Sequence, residues 1–468
     1  MAPPAPFRDP SGRPFPDPPA EWVEELGSFL RIPSVSGHAA DLTHRRAAAE
    51  WVAAFGAAIG GRWEVREDEG LSPYAVGRLE ASAREGAGPR PHVLLYGHAD
   101  VQPAGHSRLW RSPPFEPEVR DGWLYARGVA DDKGNVYALV KGALGLLERD
   151  ALPVDVTVLV DTDEETSGLA AVGFLDEEPA GFDACLVYDA LTLRDGQLVF
   201  VAGSRGLVVA EVVVRTGDAE VHSGFYGGAA LNAAHVLTAG LARVIDLPEP
   251  LRRGAAAPDP ERLAAWGDAI DAGEELRRAG VRPRSPGVLD SFFDATYASP
   301  SIDVNGIATG DAVNEAMVIP CEARAHVSMR LALGQRPDAV ASALTDLLRT
   351  GAPDEAAVDV RVLTTSPGWE SDTASPVMRA VGAAVEEVLG RPPRIVPNGA
   401  TVPLLAALDA HGIPAVLTGF ATPASNLHGP DEGLPLNALA LAAATSARSL
   451  ELLGEALGAT VDRPRAPR

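Results

Sequence analysis

The sequence predicts an α/β protein with a mostly parallel central sheet flanked by helices, joined to an inserted, smaller α+β domain. Short, near-continuously apolar runs give the first signal. Residues 93–96 lead into Gly97-His98-Ala99-Asp100, residues 154–160 into Asp161-Thr162-Asp163-Glu164-Glu165, and residues 184–187 into Tyr188-Asp189. Runs of this kind mark strands buried on both faces, and open α/β sheets bind ligands at the carboxyl ends of their strands. The second signal is a change of texture at Gly206, after which a long Val-rich strand and an alternating strand read as an antiparallel sheet. A chain of 468 residues is also too long for one hydrophobic core. The expected division is 1–205 and 376–468 for the larger domain, with 206–375 inserted between its parts.

In order, helical spacing is expected over 20–32 and 45–59, and a strand over 92–96. An irregular, Pro-containing loop then covers 102–121. A helix opens in the stretch 125–134 and runs through Leu146. In the inserted domain, strand 207–216, helix 231–244, a Pro- and Arg-rich insertion over 247–286, strand 317–331, helix 337–349 and strand 358–363 follow. Helix 376–389, strands 394–396 and 415–418, and a helix near 436–453 complete the larger domain. That last segment is interrupted by Asn437, Ser446, Arg448 and Glu451, so it reads as a packed helix and not a membrane span.

Forty basic residues against sixty-four acidic ones give a formal charge of −24, which opposes binding to nucleic acid and to anionic lipid. The start, Met1-Ala2-Pro3-Pro4, has neither a basic region nor an apolar run, so no signal peptide is expected. Cys185 and Cys321, far apart and each in an apolar, strand-like segment, read as buried free thiols of a cytoplasmic protein.

The polar clusters of the larger domain all follow predicted strands: His98 and Asp100, Asp131 and Asp132, Glu164 and Glu165, Asp189, and His428. Imidazoles and carboxylates without thiolates suit zinc, manganese or cobalt. Two divalent ions, about 3.5–4 Å apart in such sites, account for the acidic density better than one, with three carboxylates and a bridging hydroxide offsetting their charge. Plainer readings stand beside this one. His98 fits a strand-end His bonded to a neighbouring carboxylate, Asp132 a helix cap, Lys133 a surface charge, His222 a solvent-facing turn residue, and Arg330 an ordinary ion pair. Trp110, Tyr125 and Tyr226 are assigned to packing, and His38, His92, His106, His235 and His326 to surface or core.

The stretches 96–103 (Tyr-Gly-His-Ala-Asp-Val-Gln-Pro), 127–134 (Arg-Gly-Val-Ala-Asp-Asp-Lys-Gly), Glu164-Glu165, Tyr188-Asp189, His222-Ser223-Gly224 and 426–430 (Asn-Leu-His-Gly-Pro) resemble the motifs of a family of dizinc metallopeptidases. That family comprises carnosinase, acetylornithine deacetylase/succinyl-diaminopimelate desuccinylase and carboxypeptidase G. The resemblance runs from about Trp22 to Leu453, and the Asp-Val-Gln-Pro wording is nearest to the dipeptidase branch. It implies that His98, Asp131 and Asp189 hold one metal and Asp131, Glu165 and His428 the other, with Asp131 bridging next to a cis peptide bond to Asp132. It further implies that Glu164 is the general base and that Asp100 orients His98. The inserted domain becomes a lid and dimerisation domain, in which His222 crosses a homodimer interface to the oxyanion and Arg330 holds a substrate carboxylate. Asn398 and Thr401 fall in the substrate region. The implied function is a dipeptidase acting on small substrates with a free carboxylate, with an N-acyl or N-carbamoyl amino acid amidohydrolase and a catalytically silent binding protein as alternatives. Asn398, where dipeptidase relatives carry Glu, and Met317, often Thr, favour the amidohydrolase.

Overall fold

The computed structural model describes residues 7–9, 11–37, 42–68, 70–82, 90–178, 181–257, 260, 263, 271–310 and 316–458. Met1-Ala2-Pro3-Pro4, His38 and part of the 247–286 insertion lie outside them. The chain forms two compact units, one of Met1–Ala202, Ser371–Val396 and Pro403–Arg468, the other of Gly203–Glu370 and Pro397–Val402. Pro397–Val402 thus groups with the smaller unit, where the sequence reading puts all of 376–468 in the larger.

The larger unit is built on a sheet in which Arg62–Arg66, Tyr74–Leu79, Asp155–Asp161, His92–His98, Ala184–Tyr188, Ala415–Thr418 and Val199–Ser204 follow one another. The four strands from Asp155–Asp161 to Ala415–Thr418 are parallel and their neighbours antiparallel. Their apolar runs are buried on both faces. The helices Lys133–Glu148 and Leu436–Gly458 pack so closely that a Cβ on Gly142 would lie 2.5 Å from the Ala443 carbonyl oxygen. Ser446 Oγ donates across the same contact to the Leu139 carbonyl at 2.7 Å. Pro376–Leu389 has a Ser375 cap accepting from the Met378 amide, Pro at its first position, and Gly390 in the left-handed region at its end, which is why its bounds are readable from sequence.

The smaller unit holds an antiparallel sheet in the order Ser301–Thr309, Glu322–Leu331, Gly206–Arg215, Ala357–Ser366. Alternate residues of its central strands, Val208, Ala210 and Val212 facing the same core as Ala325, Val327 and Met329, pack with the helices Ala233–Ile245 and Pro337–Arg349. The strand expected over 317–331 is two strands. Val318–Ile319 pairs with Val221–His222, and after Pro320 the chain enters Glu322–Leu331, because proline supplies no ladder N–H. Cys321 sits at this break and is only partly buried, unlike the buried Cys185, and both are free thiols. The edge strand Ser301–Thr309 carries no apolar run and is largely exposed, so it escapes periodicity analysis.

Leu95 is fully buried between Val158 and Leu186 on the adjoining strands. Leu95→Ala is expected to lower the unfolding free energy by about 2–5 kcal/mol in denaturant titration.

Candidate metal centre

The parallel register brings the site together. His98 ends its strand level with Asp161, and Asp189 directly follows Ala184–Tyr188. Asp131 and Asp132, joined by a cis peptide bond, stand at the entrance of Lys133–Glu148. His428 lies in the loop after Ala415–Thr418, with a positive φ of 61°, as has Asn426 at 55°. Asn426 Nδ2 donates to the Pro430 carbonyl and tightens this turn.

Asp131 is held between the two imidazoles: its Oδ1 is 3.1 Å from His98 Nε2 and its Oδ2 2.9 Å from His428 Nε2. Glu165 Oε2 lies 3.4 Å from His428 Nε2 and Glu164 Oε2 4.0 Å from His98 Nε2. Two trios with ligand atoms within 4.8 Å of one another result, His98–Glu164–Asp189 and Asp131–Glu165–His428. Asp100 is fully buried. Its two carboxylate oxygens accept the Glu164 and Glu165 amides at 3.2 and 3.1 Å, and it flanks His98 Nδ1 through its carbonyl oxygen at 3.1 Å and its carboxylate at 3.4 Å.

Charge is unevenly compensated here. Burial opposes an imidazolium at His98, but contacts with Asp100 and Asp131 and the Glu164 charge outweigh it and hold the group well above its ordinary range. Hydrogen bonding to Asp131 and Glu165 raises His428 to about 10. Burial would raise Asp131, yet the two imidazoles pull it below the usual carboxylate range. Burial, then repulsion from Asp131, lifts Asp189 to about 7, and burial with Asp189 and Glu165 nearby pushes Glu164 well up. Among the described residues, Glu165 Oε1 and Asp132 Oδ1 are buried without a hydrogen-bond partner. Surplus negative charge, orphaned carboxylate oxygens and an oxygen–imidazole donor set fit divalent cations.

Several residues depart from the sequence reading. Asp132 makes no side-chain cap to its helix. Instead its Oδ2 accepts the His98 amide at 3.3 Å. Lys133 is fully buried and not a surface charge: Nζ donates to the carbonyls of Phe29 and Ile32 at 3.2 and 2.7 Å, and burial lowers it to about 7. Tyr226, assigned to packing, is 52% exposed. Sequence reasoning missed four supporting side chains. Gln102 donates to Glu165 Oε2 at 2.8 Å. Arg45, buried in the helix Leu42–Ala57, donates to Asp163 at 2.8 Å and so braces the loop carrying Glu164 and Glu165. Arg127 and Glu432 form a fully buried pair at 2.7 Å. Only a four-residue offset from His428 hinted at Glu432; nothing local distinguishes Arg45.

The remaining expected site residues lie in the smaller unit. Arg330 donates to Thr401 Oγ1 at 2.8 Å, and Thr401 donates to the Arg205 carbonyl at 2.6 Å. Arg205, lowered to about 10 by burial and then by Arg330, donates to the Gly399 carbonyl at 3.0 Å. Asn398 Oδ1 accepts the Ala400 amide at 2.9 Å. His222 is exposed and accepts the Gly224 amide through Nδ1 at 3.0 Å.

The raised carboxyls have a measurable consequence in chelator-treated protein. Asp161 and Asp189 bind a proton up to about 7 when folded, against an ordinary value of 3.8, so the metal-free fold loses stability as pH rises. The imidazoles act in the same direction above 6.5. The melting temperature of the chelated protein is therefore expected to fall between pH 5 and 7, and added zinc to reverse that slope, since cations bind the deprotonated ligands. A metal-free melting temperature rising over that interval contradicts this account.

Cysteinylglycine-S-conjugate dipeptidase of Corynebacterium striatum is 30% identical to this chain over 363 residues, covering 75% of this chain and 78% of that protein. Among solved structures, the M20 family metallo-carboxypeptidase Sso-CP2 of Sulfolobus solfataricus superposes with a TM-score of 0.83 at 22% identity, covering 93% of this chain and 99% of that one. The dipeptidase Dug1p of Saccharomyces cerevisiae superposes with a TM-score of 0.79 at 20% identity, covering 93% and 96%. The model describing peptidase family M20/M25/M40 matches residues 94–452, a span that takes in both carboxylate–imidazole trios. With its sheet, its buried acidic edge and this match in agreement, the chain belongs to peptidase family M20/M25/M40.

Proposed function

We propose that the protein is a metal-dependent dipeptidase that hydrolyses the amide bond of a small substrate bearing a free carboxylate. The observation that carries this reading is the Asp131 carboxylate, one oxygen against His98 and the other against His428. A carboxylate so placed suits two cations, one held with His98 and Asp189 and the other with Glu165 and His428. Zinc is the expected metal, with manganese and cobalt as alternatives. When bound, such a pair supplies positive charge that polarises a carbonyl and acidifies water.

Glu164 is assigned to proton transfer. Its neighbour Glu165 is fixed by Gln102, whereas the Glu164 carboxylate accepts no hydrogen bond from the described residues and has a raised proton affinity. It takes a proton from the attacking water and delivers it to the amine nitrogen as the C–N bond breaks, leaving a carboxylate and a free amine. Asp100 keeps Glu164 and His98 in register through its amide and imidazole contacts. In the smaller unit, Arg330 is assigned to the substrate carboxylate, with Thr401 fixing its guanidinium. Asn398 carries no charge to meet a substrate ammonium, which favours a second reading, hydrolysis of N-acyl or N-carbamoyl amino acids.

We also assign the chain to a cytoplasmic homodimer formed through the smaller unit. Its free thiols suit a reducing compartment. Phe225 (83% exposed) and Met317 (77%) flank His222, and the edge strand Ser301–Thr309 leaves Ile307 in solvent. His222 then serves the partner's oxyanion.

Hydrolysis of free and N-acylated dipeptides, before and after chelation, tests the activity. Chelator-sensitive cleavage of free dipeptides is the expected result, and turnover that rises on blocking the amino group selects the amidohydrolase. Glu164→Gln is expected to keep its metals and lose about 10²–10⁴-fold in kcat; near-normal turnover removes the base assignment. Specific activity is expected to fall on dilution to monomer in sedimentation-matched assays, and a fully active monomer removes the His222 role.

A further inference from the structure

The buried pair Arg127–Glu432 touches both the loop carrying Asp131 and the loop carrying His428. Glu432 Oε2 accepts Arg127 Nη1 at 2.7 Å and the Gly128 amide at 2.9 Å, while Oε1 accepts the Ala130 and Asp131 amides at 2.8 and 3.1 Å. Arg127 Nη2 donates to the carbonyl of Gly429, adjacent to His428, at 3.1 Å, and its guanidinium lies 5.3 Å from the Trp110 ring centre. Both side chains are at most 1% exposed.

We infer that this pair is a positioning device for one of the two cation sites, setting occupancy of the Asp131–Glu165–His428 site and leaving the site of His98 and Asp189, which shares Asp131, chiefly to other supports. The inference rests on the two-cation reading. Two of the three ligands of the first-named site hang on the pair: the Asp131 amide on Glu432, and the His428 turn on Arg127 through Gly429. His428 needs such an anchor, because its side chain is 54% exposed and its backbone is in the left-handed region. The other site shares Asp131 but takes its further anchors elsewhere, His98 being held by Asp100 and Asp132. Glu432 meets four donors with two ionised oxygens. An amide in its place offers one acceptor oxygen and turns an NH2 toward backbone N–H groups in a fully buried setting.

The test is calorimetric titration of chelator-stripped full-length protein with Zn²⁺ alone, paired with metal-free melting temperatures. Wild type is expected to take up two ions. Glu432→Gln is expected to bind one of them about 10–100-fold more weakly and the other with a much smaller loss. Arg127→Lys, which keeps a cation beside Glu432 but gives up the fork that reaches Gly429, is expected to weaken the same ion and decides the matter if Glu432→Gln does not fold. His428→Ala identifies that ion. Wild-type affinities in both variants, or equal weakening of both ions, overturn the inference. Wild-type protein that binds fewer than two ions removes the two-cation reading and the inference with it.

Discussion

Negative charge concentrated at one edge of a buried sheet is the constraint on which the larger unit depends. Asp100, Asp131, Asp132, Glu164, Glu165 and Asp189 all project from strand ends or from the helix entrance beside them. In surroundings of low polarity their mutual repulsion is strong. The chain answers with two imidazoles around Asp131 and with backbone amides turned onto Asp100 and Glu432. Amides neutralise nothing, but they hold the carboxylates in place, so that the remaining charge faces the position a cation suits.

What could be read from sequence was local. Each central strand is an apolar run that stops at a chemical group, so His98, Glu164, Glu165 and Asp189 declare themselves by position. The capped helix Pro376–Leu389 declares itself by Ser375, Pro376 and Gly390. What could not be read depends on distant partners. Arg45 and Asp163 are 118 residues apart, and Arg127 and Glu432 are 305 apart. Periodicity carries no information about such pairs. Lys133 looked like a surface charge because an isolated Lys usually is one; its burial follows from carbonyls at the end of the helix Ala20–Leu30, which turn toward it.

The smaller unit shows the same division. Its core strands announce themselves by alternation, whereas the segment Pro397–Val402 returns to it through hydrogen bonds no motif encodes. Thr401 links the Arg330 guanidinium to the backbone of the strand that opens the unit, and Arg205 secures Gly399. The segment Pro397–Val402 is thereby shaped by arginines of its own unit.

The place of Ala415–Thr418 in the sheet bears on how the protein is made. This strand lies directly beside Ala184–Tyr188, more than two hundred residues earlier in the chain, with the whole smaller unit synthesised between them. A nascent chain that has reached Val402 holds a complete inserted unit but an unfinished sheet, with one flank of Ala184–Tyr188 unpaired. Contacts of such high sequence separation form late and slowly. His428 therefore joins the acidic edge only after Ala415–Thr418 has been made, and until then the unpaired flank of Ala184–Tyr188 is an apolar surface for chaperones to guard.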